Sequence, residues 1–502
     1  MSRRVWLPRL AALLVAAVAL RATFFVGLIG WDDVEYRESS ARLVAGDLMP
    51  RSLFGLRWGL TLPLAAVQAM GGEGERATAL VPMAYSLAAI VLAFVLGRRL
   101  AGARAGLVAA AVLTVLPLDV LAASDLHADL AASVFLALAA SLALRGQVAG
   151  ARAMPCFALA GAALAVATLT KESSLALAAV LVVWGVWRGV PRAAGAAALA
   201  GFAVVLAADA AWLRWVTGDW AYRLSPAVTG LHRQHMLMLE PSSTWMLDYL
   251  GMLLNPASGR FAELGGVFYL VLGAAVIAVR ARTPGIREVT VWWGVLLAAL
   301  SLAPHDLSFT RPLFFHFPRT LQPLAVPFAL TIGLGSVAMR RARVASVALI
   351  AFTLVSGVGL WAAHFDYRQW AAVARQAAPV LERAPRDVAV VTDPTSAALL
   401  RSLLPARRAS IVTTDAGLPA GAALVLRDPL FIASALHHRR PVPAEVLAPP
   451  DRWERVAVFE RPRRPRLRGW MHAEGGMPPA ETATLWRVGG SDRRAGVAAP
   501  VR

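Results

Sequence analysis

The sequence predicts a polytopic α-helical membrane protein that carries a small C-terminal α/β domain. Three observations carry that prediction. The 502 residues are 58% hydrophobic and 16% charged, whereas a soluble domain is about 25% charged, and mean hydropathy is +0.58. Apolar runs recur up to residue 363, and alternate breaks between them carry arginine. From residue 364 the pattern changes to short β-rich runs closed by turn residues.

Using the roughly 20-residue requirement for crossing a bilayer, about eleven spans can be placed. They lie near 10–30, 77–97, 105–121, 128–144, 154–170, 173–187, 193–213, 264–279, 289–304, 320–339 and 344–363. The opening "MSRRVWLPRLAALLVAAVALRATFF" imitates a signal peptide, but no small-x-small cleavage site follows, so it is expected to stay as the first span. The runs on either side of Lys171 are short and could form two helices with a tight turn or one kinked helix. Charge favours two. With the N-terminus in the cytoplasm, loops 1–9, 98–104, 145–153, 188–192, 280–288 and 340–343 face inward; all carry arginine, and their only acid is Glu288. This is the positive-inside pattern. The opposite loops hold Asp32, Asp33, Glu35, Glu38, Asp47, Glu73, Glu75, Asp119, Asp125, Asp129 and Glu172. The expectation is a plasma (inner) membrane protein with its acidic face and C-terminal domain outside.

In that domain, 364–470, "DVAVVTD", "ASIVTTD", "AALVLRD" and "RVAVFER" read as strands, with "PTSAALLRSLL" helical between the first two. Residues 471–502, rich in Gly, Pro and Arg, are expected to be an irregular tail. A single cysteine, Cys156, leaves no intrachain disulfide and no C-x-x-C metal site. The net charge of +19 comes mostly from arginines between apolar runs or in the tail. They suit topology and membrane lipids, and no basic patch with interleaved aromatics points to nucleic acid.

Four motifs could carry chemistry. Asp32 and Asp33 in "GWDDVEYRESS" are paired carboxylates at the membrane surface, suited to accepting a proton; the structural alternative is an acidic helix N-terminus. In "LPLDVLAASDLHADLAAS", Asp125 and Asp129 are four residues apart and would share a helical face. His127 between them could complete a divalent-metal site, whereas Asp125 alone could simply cap a helix. Lys171, the only lysine of the chain, stands beside Glu172 in "LTKESS". It is a compact point charge suited to a lipid phosphate, or an ordinary salt-bridged turn. Arg319 in "FPRTLQPLAVP" opens a proline-interrupted span at headgroup level and could snorkel or bind phosphate. Arg57 could add a further phosphate contact. Two charges lie deeper, Arg21 and Asp209, and could pair with each other. His232 and His235 are three apart, but two histidines specify no metal.

In order and spacing these features resemble the GT-C superfamily of polytopic glycosyltransferases, in the group of protein O-mannosyltransferases and bacterial aminoarabinose transferases. The resemblance covers residues 5–340. It rests on Arg21 in span one, Asp32-Asp33 where the family has Asp-Glu, the stretch from "RATALVPMAYS" to "VLPLDVLAAS" followed by Asp129, the "LTKES" turn, and "PRTLQPLAVPFALTIGLG". The resemblance implies a GT-C-like transmembrane domain and a polyprenyl-phosphate sugar donor. It also implies attack by an acceptor hydroxyl of a glycan, lipid or protein, with inversion, as a hexosyl or pentosyl transfer. It makes Asp32 the candidate base, with Asp33 and Asp129 supporting it or holding acceptor or metal. Arg57, Lys171 and Arg319 would stabilise the phosphate leaving group, with Glu172, His127 and Asp125 in support. One departure bears on cofactors: where some relatives place a Glu-Lys-Pro stretch, this chain reads "LRWGLTLPLA" without an acid. A divalent metal is thus allowed but not required. The other class open to the sequence is a transporter or flippase of a lipid-linked or anionic solute, which would need matching interrupted segments in two halves; the charges here gather in the first half only.

Overall fold

The computed structural model describes residues 3–72, 74–150, 153–176, 189–226, 228–230, 244–256, 261–304, 311–313, 316–339, 341–419, 421–437, 440–461 and 482–489. Helix α1 (Arg3–Thr23) stops well short of the expected end of span one. The next residues place Gly27 at φ +71° and Gly30 at +97°, a region that side chains with a Cβ rarely enter. The chain therefore leaves the helix and runs irregularly to Trp31. Next come α2 (Asp32–Val44), α3 (Trp58–Ala69) and α4 (Leu80–Ala101).

The expected span 105–121 is two helices, α5 (Ala103–Val115) and α6 (Pro117–Ala122). Leu116 is extended, as a residue before proline tends to be, and Pro117 restarts the helix at its first position. The remaining membrane helices are α7 (Ala128–Gln147), α8 (Ala153–Thr170), α9 (Arg192–Thr217), α10 (Val267–Arg280), α11 (Ile286–Leu302), α12 (Ala325–Ala338) and α13 (Ala342–Trp370).

Among the described residues, seven stretches are long and apolar enough to cross a membrane: Val5–Thr23, Glu75–Ala101, Ala128–Gln147, Ala153–Thr170, Arg192–Thr217, Pro318–Ala338 and Arg343–Trp370. Helices α5, α10 and α11 fall on three more expected spans but have 13, 14 and 17 residues. The expected span 173–187 lies mostly outside the described residues. Among the described residues seven stretches thus meet the length requirement, and the expected count of eleven is not confirmed. Pro318–Ala338 is the central one, with 89% of its apolar window inside the protein, whereas only 6% of Arg192–Thr217 is covered. That exposed apolar surface suits contact with lipid.

A buried polar clamp ties α1 to this bundle. Arg21 is fully buried and pairs with Asp119 of α6 at 2.5 Å, not with Asp209. Its Nε donates to Ser86 Oγ at 2.7 Å, and its terminal nitrogens donate to the Thr114 and Leu113 carbonyls at 3.2 and 3.3 Å. The helical partner of the Leu113 carbonyl would be the N–H of residue 117, which proline lacks. Asp119 also accepts from Ser86 and, at 2.9 Å, from Gln322 Nε2. Four segments distant in sequence thus close around one ion pair with its hydrogen bonds satisfied.

Helix α14 (Ala372–Arg383) leads into the C-terminal domain. There β1 (Ala389–Thr392), α15 (Pro394–Leu403), β2 (Ile411–Thr413), β3 (Ala423–Arg427), α16 (Pro429–His437), β4 (Glu454–Glu460) and β5 (Thr482–Val488) form a five-stranded sheet ordered β2-β1-β3-β5-β4. β1 pairs in parallel with β2 and β3, with Val390 opposite Ile411 and Leu424. β5 runs antiparallel between β3 and β4, with Trp486 opposite Val425 and Arg455. The four strands and the helix read from sequence are all present. The tail is a correction: its residues 482–488 supply an interior strand. Ala483 and Leu485 alternate into the core there and cover the edge that β3 would otherwise leave open.

Removing one partner of the clamp leaves the other charge buried and unpaired. Arg21→Ala or Asp119→Ala should each lower stability by about 3–5 kcal/mol. The joint change Arg21→Met with Asp119→Leu should cost less than either, as thermal unfolding in detergent would show.

Candidate active site

The segment Phe24–Trp31 delivers Asp32 and Asp33 at the start of α2, and their roles diverge. Asp33 is fully buried. One of its oxygens accepts the Ile29 and Gly30 N–H groups at 2.6 and 3.2 Å, and the other accepts that of Trp31 at 2.6 Å. Burial and the nearby Asp125 carboxylate push the Asp33 carboxyl up to about 6, against the pull of these donors. Asp33 therefore holds the turn. The Asp32 side chain remains 30% exposed and pairs with Arg319 at 2.8 Å. Burial alone would push the Asp32 carboxyl up. The charges of Arg319, Arg57 and Lys171 outweigh it and hold the group below the ordinary carboxylate range, so it is an anion at neutral pH.

Between α6 and α7, the turn at Ser124–His127 brings the second group. The helix begins at Ala128, so Asp125 lies before it; Asp125 and Asp129 do not share a helical face, and Asp125 is not its cap. Asp125 lies 2.6 Å from His127 Nε2, while Arg319 donates to His127 Nδ1 at 3.2 Å. An arginine can only donate, so Nδ1 accepts. Arg319 thus bridges His127 and Asp32. Asp129, in the first turn of α7, accepts from Lys171 Nζ at 3.3 Å through Oδ2.

Lys171 follows α8, where its extended backbone turns the chain into the short turn Glu172–Ser174. Burial lowers its pKa, with Arg57 and Arg319 adding to that and Asp129 opposing it. Arg57 lies between a tight turn (Leu53–Leu56) and α3. It donates to the Tyr36 hydroxyl and stands 3.7 Å from Glu172. Its guanidinium lies over the Tyr36 and Phe54 rings, 5.8 and 5.4 Å from their centres.

Five sequence-distant segments thus meet at one end of the bundle, bringing together Asp32, Arg57, Asp125, His127, Asp129, Lys171, Glu172 and Arg319. Asp33 stands just behind, facing its own backbone. Tyr36 was missed, although it sits one helical turn after Asp32. Tyr367 was also missed; its hydroxyl donates to Glu263 at 2.9 Å. Asp209 is bound by Arg223 at 3.0 Å and by the Trp58 indole at 2.5 Å. The pairing imagined for it with Arg21 is incorrect because both already have nearer partners. His232 and His235 lie outside the described residues. Among the described residues, no group of three or more His, Cys, Asp or Glu could hold a metal ion.

The fold that carries these residues is of the GT-C type, shared with solved structures of membrane enzymes. No protein family matches the chain, and neither does any curated protein. Solved structures do. ArnT from Cupriavidus metallidurans bound to undecaprenyl phosphate aligns with a TM-score of 0.60 at 16% identity, over 97% of this chain and 98% of that one. The same enzyme in the apo state gives 0.56 at 16% identity, over 96% and 97%. The Archaeoglobus fulgidus oligosaccharyltransferase tethered with an acceptor peptide gives 0.51 at 11% identity, over 82% of this chain and 64% of that one. Both enzymes belong to the GT-C superfamily.

Arg319 is the cation that acts most strongly on Asp32. Arg319→Gln should raise the Asp32 titration by about one pH unit or more. An infrared titration of the carboxyl band, assigned with Asp32→Asn, would read this directly.

Proposed function

We infer that this protein transfers a sugar from a polyprenyl-phosphate donor to an acceptor hydroxyl, with inversion, at the extracytoplasmic face of the membrane. One observation carries the reading: an ionised, partly exposed carboxylate, Asp32, lies among Arg319, Arg57 and Lys171 at the ends of the membrane helices. The fold shared with ArnT bound to undecaprenyl phosphate supports it, and so does the arginine-rich character of the loops assigned to the cytoplasm.

The reaction follows from what these groups can do. The acceptor O–H gives its proton to Asp32 as its oxygen bonds to the anomeric carbon. The bond from that carbon to the phosphate oxygen breaks, and the lipid phosphate leaves with the electron pair. Lys171, Arg57 and Arg319 balance the charge that develops on it. In the resting site Arg319 is bonded to Asp32 and Lys171 to Asp129. A donor phosphate that takes up these cations loosens both pairs. Asp32 then becomes more basic when the donor is in place. Asp33 and the Asp125–His127 pair act by holding the loop and Arg319.

The transport alternative gains no support from the deep charge it would use, because Arg21 is enclosed by its partners. Nothing in this reading requires a resident metal, and a divalent ion brought with the donor phosphate is compatible with it.

Asp32→Asn should lower turnover by about 10²–10⁴-fold while donor binding persists; turnover at the wild-type rate would refute the base assignment. The pH profile of kcat/KM tests the cations. With Asp32 held low, the acid limb should fall below the ordinary value of about 4, and the basic limb should appear below the ordinary lysine value of about 10.4. Lys171→Arg should erase that basic limb, since a guanidinium stays charged beyond pH of about 12.

A further inference from the structure

The C-terminal domain lies against the loop that carries the proposed base. Its core is continuous with that loop: Leu28, Val34 and Tyr36 share one apolar cluster with Ala374, Ala377, Leu399, Leu426 and Phe431. Trp31, next to Asp32, meets Trp370 edge-on at 5.4 Å and Phe431 at 6.3 Å. At Gly30, a Cβ would come within 2.9 Å of Thr395 and 3.0 Å of Leu399 on α15. The domain thus packs on the backbone of the loop itself.

One side chain does more than pack. Arg375, in the first turn of α14, donates to the carbonyls of Val26 at 2.7 Å and Leu28 at 3.1 Å. It also pairs with Glu75 at 2.6 Å. The same Glu75 oxygen accepts the Leu28 N–H at 2.7 Å. A Cβ at Gly27 would overlap the Glu75 carboxylate, so the loop is shaped around this pair. Together, Arg375 and Glu75 hold both polar groups of Leu28. With Ser124 accepting from Val26, His364 donating to the Phe25 carbonyl and Asp33 accepting from residues 29–31, most of the loop's backbone is held by side chains. An irregular segment is otherwise among the most mobile parts of a protein.

We propose that Arg375 is a positioning residue: through Glu75 and the Leu28 backbone, the C-terminal domain clamps the 26–31 loop and so sets where Asp32 stands. The role given to the loop rests on the reading of Asp32 as the base, whereas the clamp itself does not. The domain then serves the reaction by ordering the catalytic loop, with no need to touch sugar or acceptor. Arg375 reaches neither Arg57, Lys171 nor Arg319 in this network, so its loss should leave the phosphate site assembled.

The test uses full-length protein purified in detergent, comparing wild type with Arg375→Gln, Arg375→Lys and, as a control on the same domain, Arg487→Ala, which removes a surface pair with Glu454. Amide hydrogen exchange over residues 26–31 is read first. Arg375→Gln should raise it at least about tenfold, Arg375→Lys by less, and Arg487→Ala not at all. Turnover of a polyprenyl-phosphate sugar is read second. Arg375→Gln should lower kcat by about 10–100-fold with donor KM changed by no more than about threefold. A folded Arg375→Gln protein with wild-type exchange in the loop overturns the clamp. A parallel loss of donor affinity overturns the positioning role. Should the Gln variant fail to fold, the Lys variant decides by the same criteria. Absence of turnover in the wild type would overturn the proposed reaction, while the exchange data would still decide the clamp.

Discussion

A missing hydrogen-bond donor organises much of this protein. Pro117 cannot return a bond to the Leu113 carbonyl, so the helix breaks there and bare carbonyls point into the bundle. Arg21 occupies that gap, and its charge is balanced by Asp119, which Pro117 itself sets at the start of the next short helix. In an apolar interior such a charge is tolerable only with all its partners in place. The pair therefore fixes the end of α1 against α4, α6 and the turn before α12. Two of the loops that build the site start from these fixed points: the one leading to Asp32 and the one leading to Asp125, His127 and Asp129.

The site has the opposite character. Asp32, Arg319 and Glu172 are only partly enclosed, and each cation already has an acid: Arg319 with Asp32, Lys171 with Asp129, Arg57 with Glu172. Such pairs at the end of a bundle keep costly charges in place without a ligand. They also make the site exchangeable, because a phosphate offers several oxygens to donors that now share single carboxylates. The lone lysine suits this arrangement. Burial lowers its pKa, and its ammonium can swing between Asp129 and an incoming anion on a flexible stem.

Much of this was legible in the sequence because it is local. Alternating β-rich runs and a proline-opened helix mark the C-terminal domain, and arginine-bearing breaks mark the ends of the membrane helices. Asp32, Lys171 and Arg319 stood out as charges beside apolar runs, where a charge without a role is expensive. What stayed hidden depends on direction around a helix or on contacts distant in sequence. Depth alone suggested Asp209 for Arg21, but depth does not say which way a side chain faces; Asp119 was visible only as part of an outer loop. The strand at 482–488 was hidden by its Gly- and Arg-rich surroundings. Asp33 read as a support for Asp32 or a holder of acceptor or metal; that the loop's own N–H groups claim it was not visible. Arg375 left no signal, since it recognises backbone carbonyls nearly 350 residues away.

The central claim is that the cations at the end of the bundle bind a lipid phosphate. The most direct test is equilibrium binding of a polyprenyl phosphate without sugar to the purified protein, beside Lys171→Ala and a surface variant, Arg51→Ala, whose pair with Asp47 lies on the exterior. Saturable binding that Lys171→Ala weakens by about tenfold or more, and that Arg51→Ala leaves unchanged, is the predicted result. Binding that is absent, or equally strong in all three proteins, would contradict the claim.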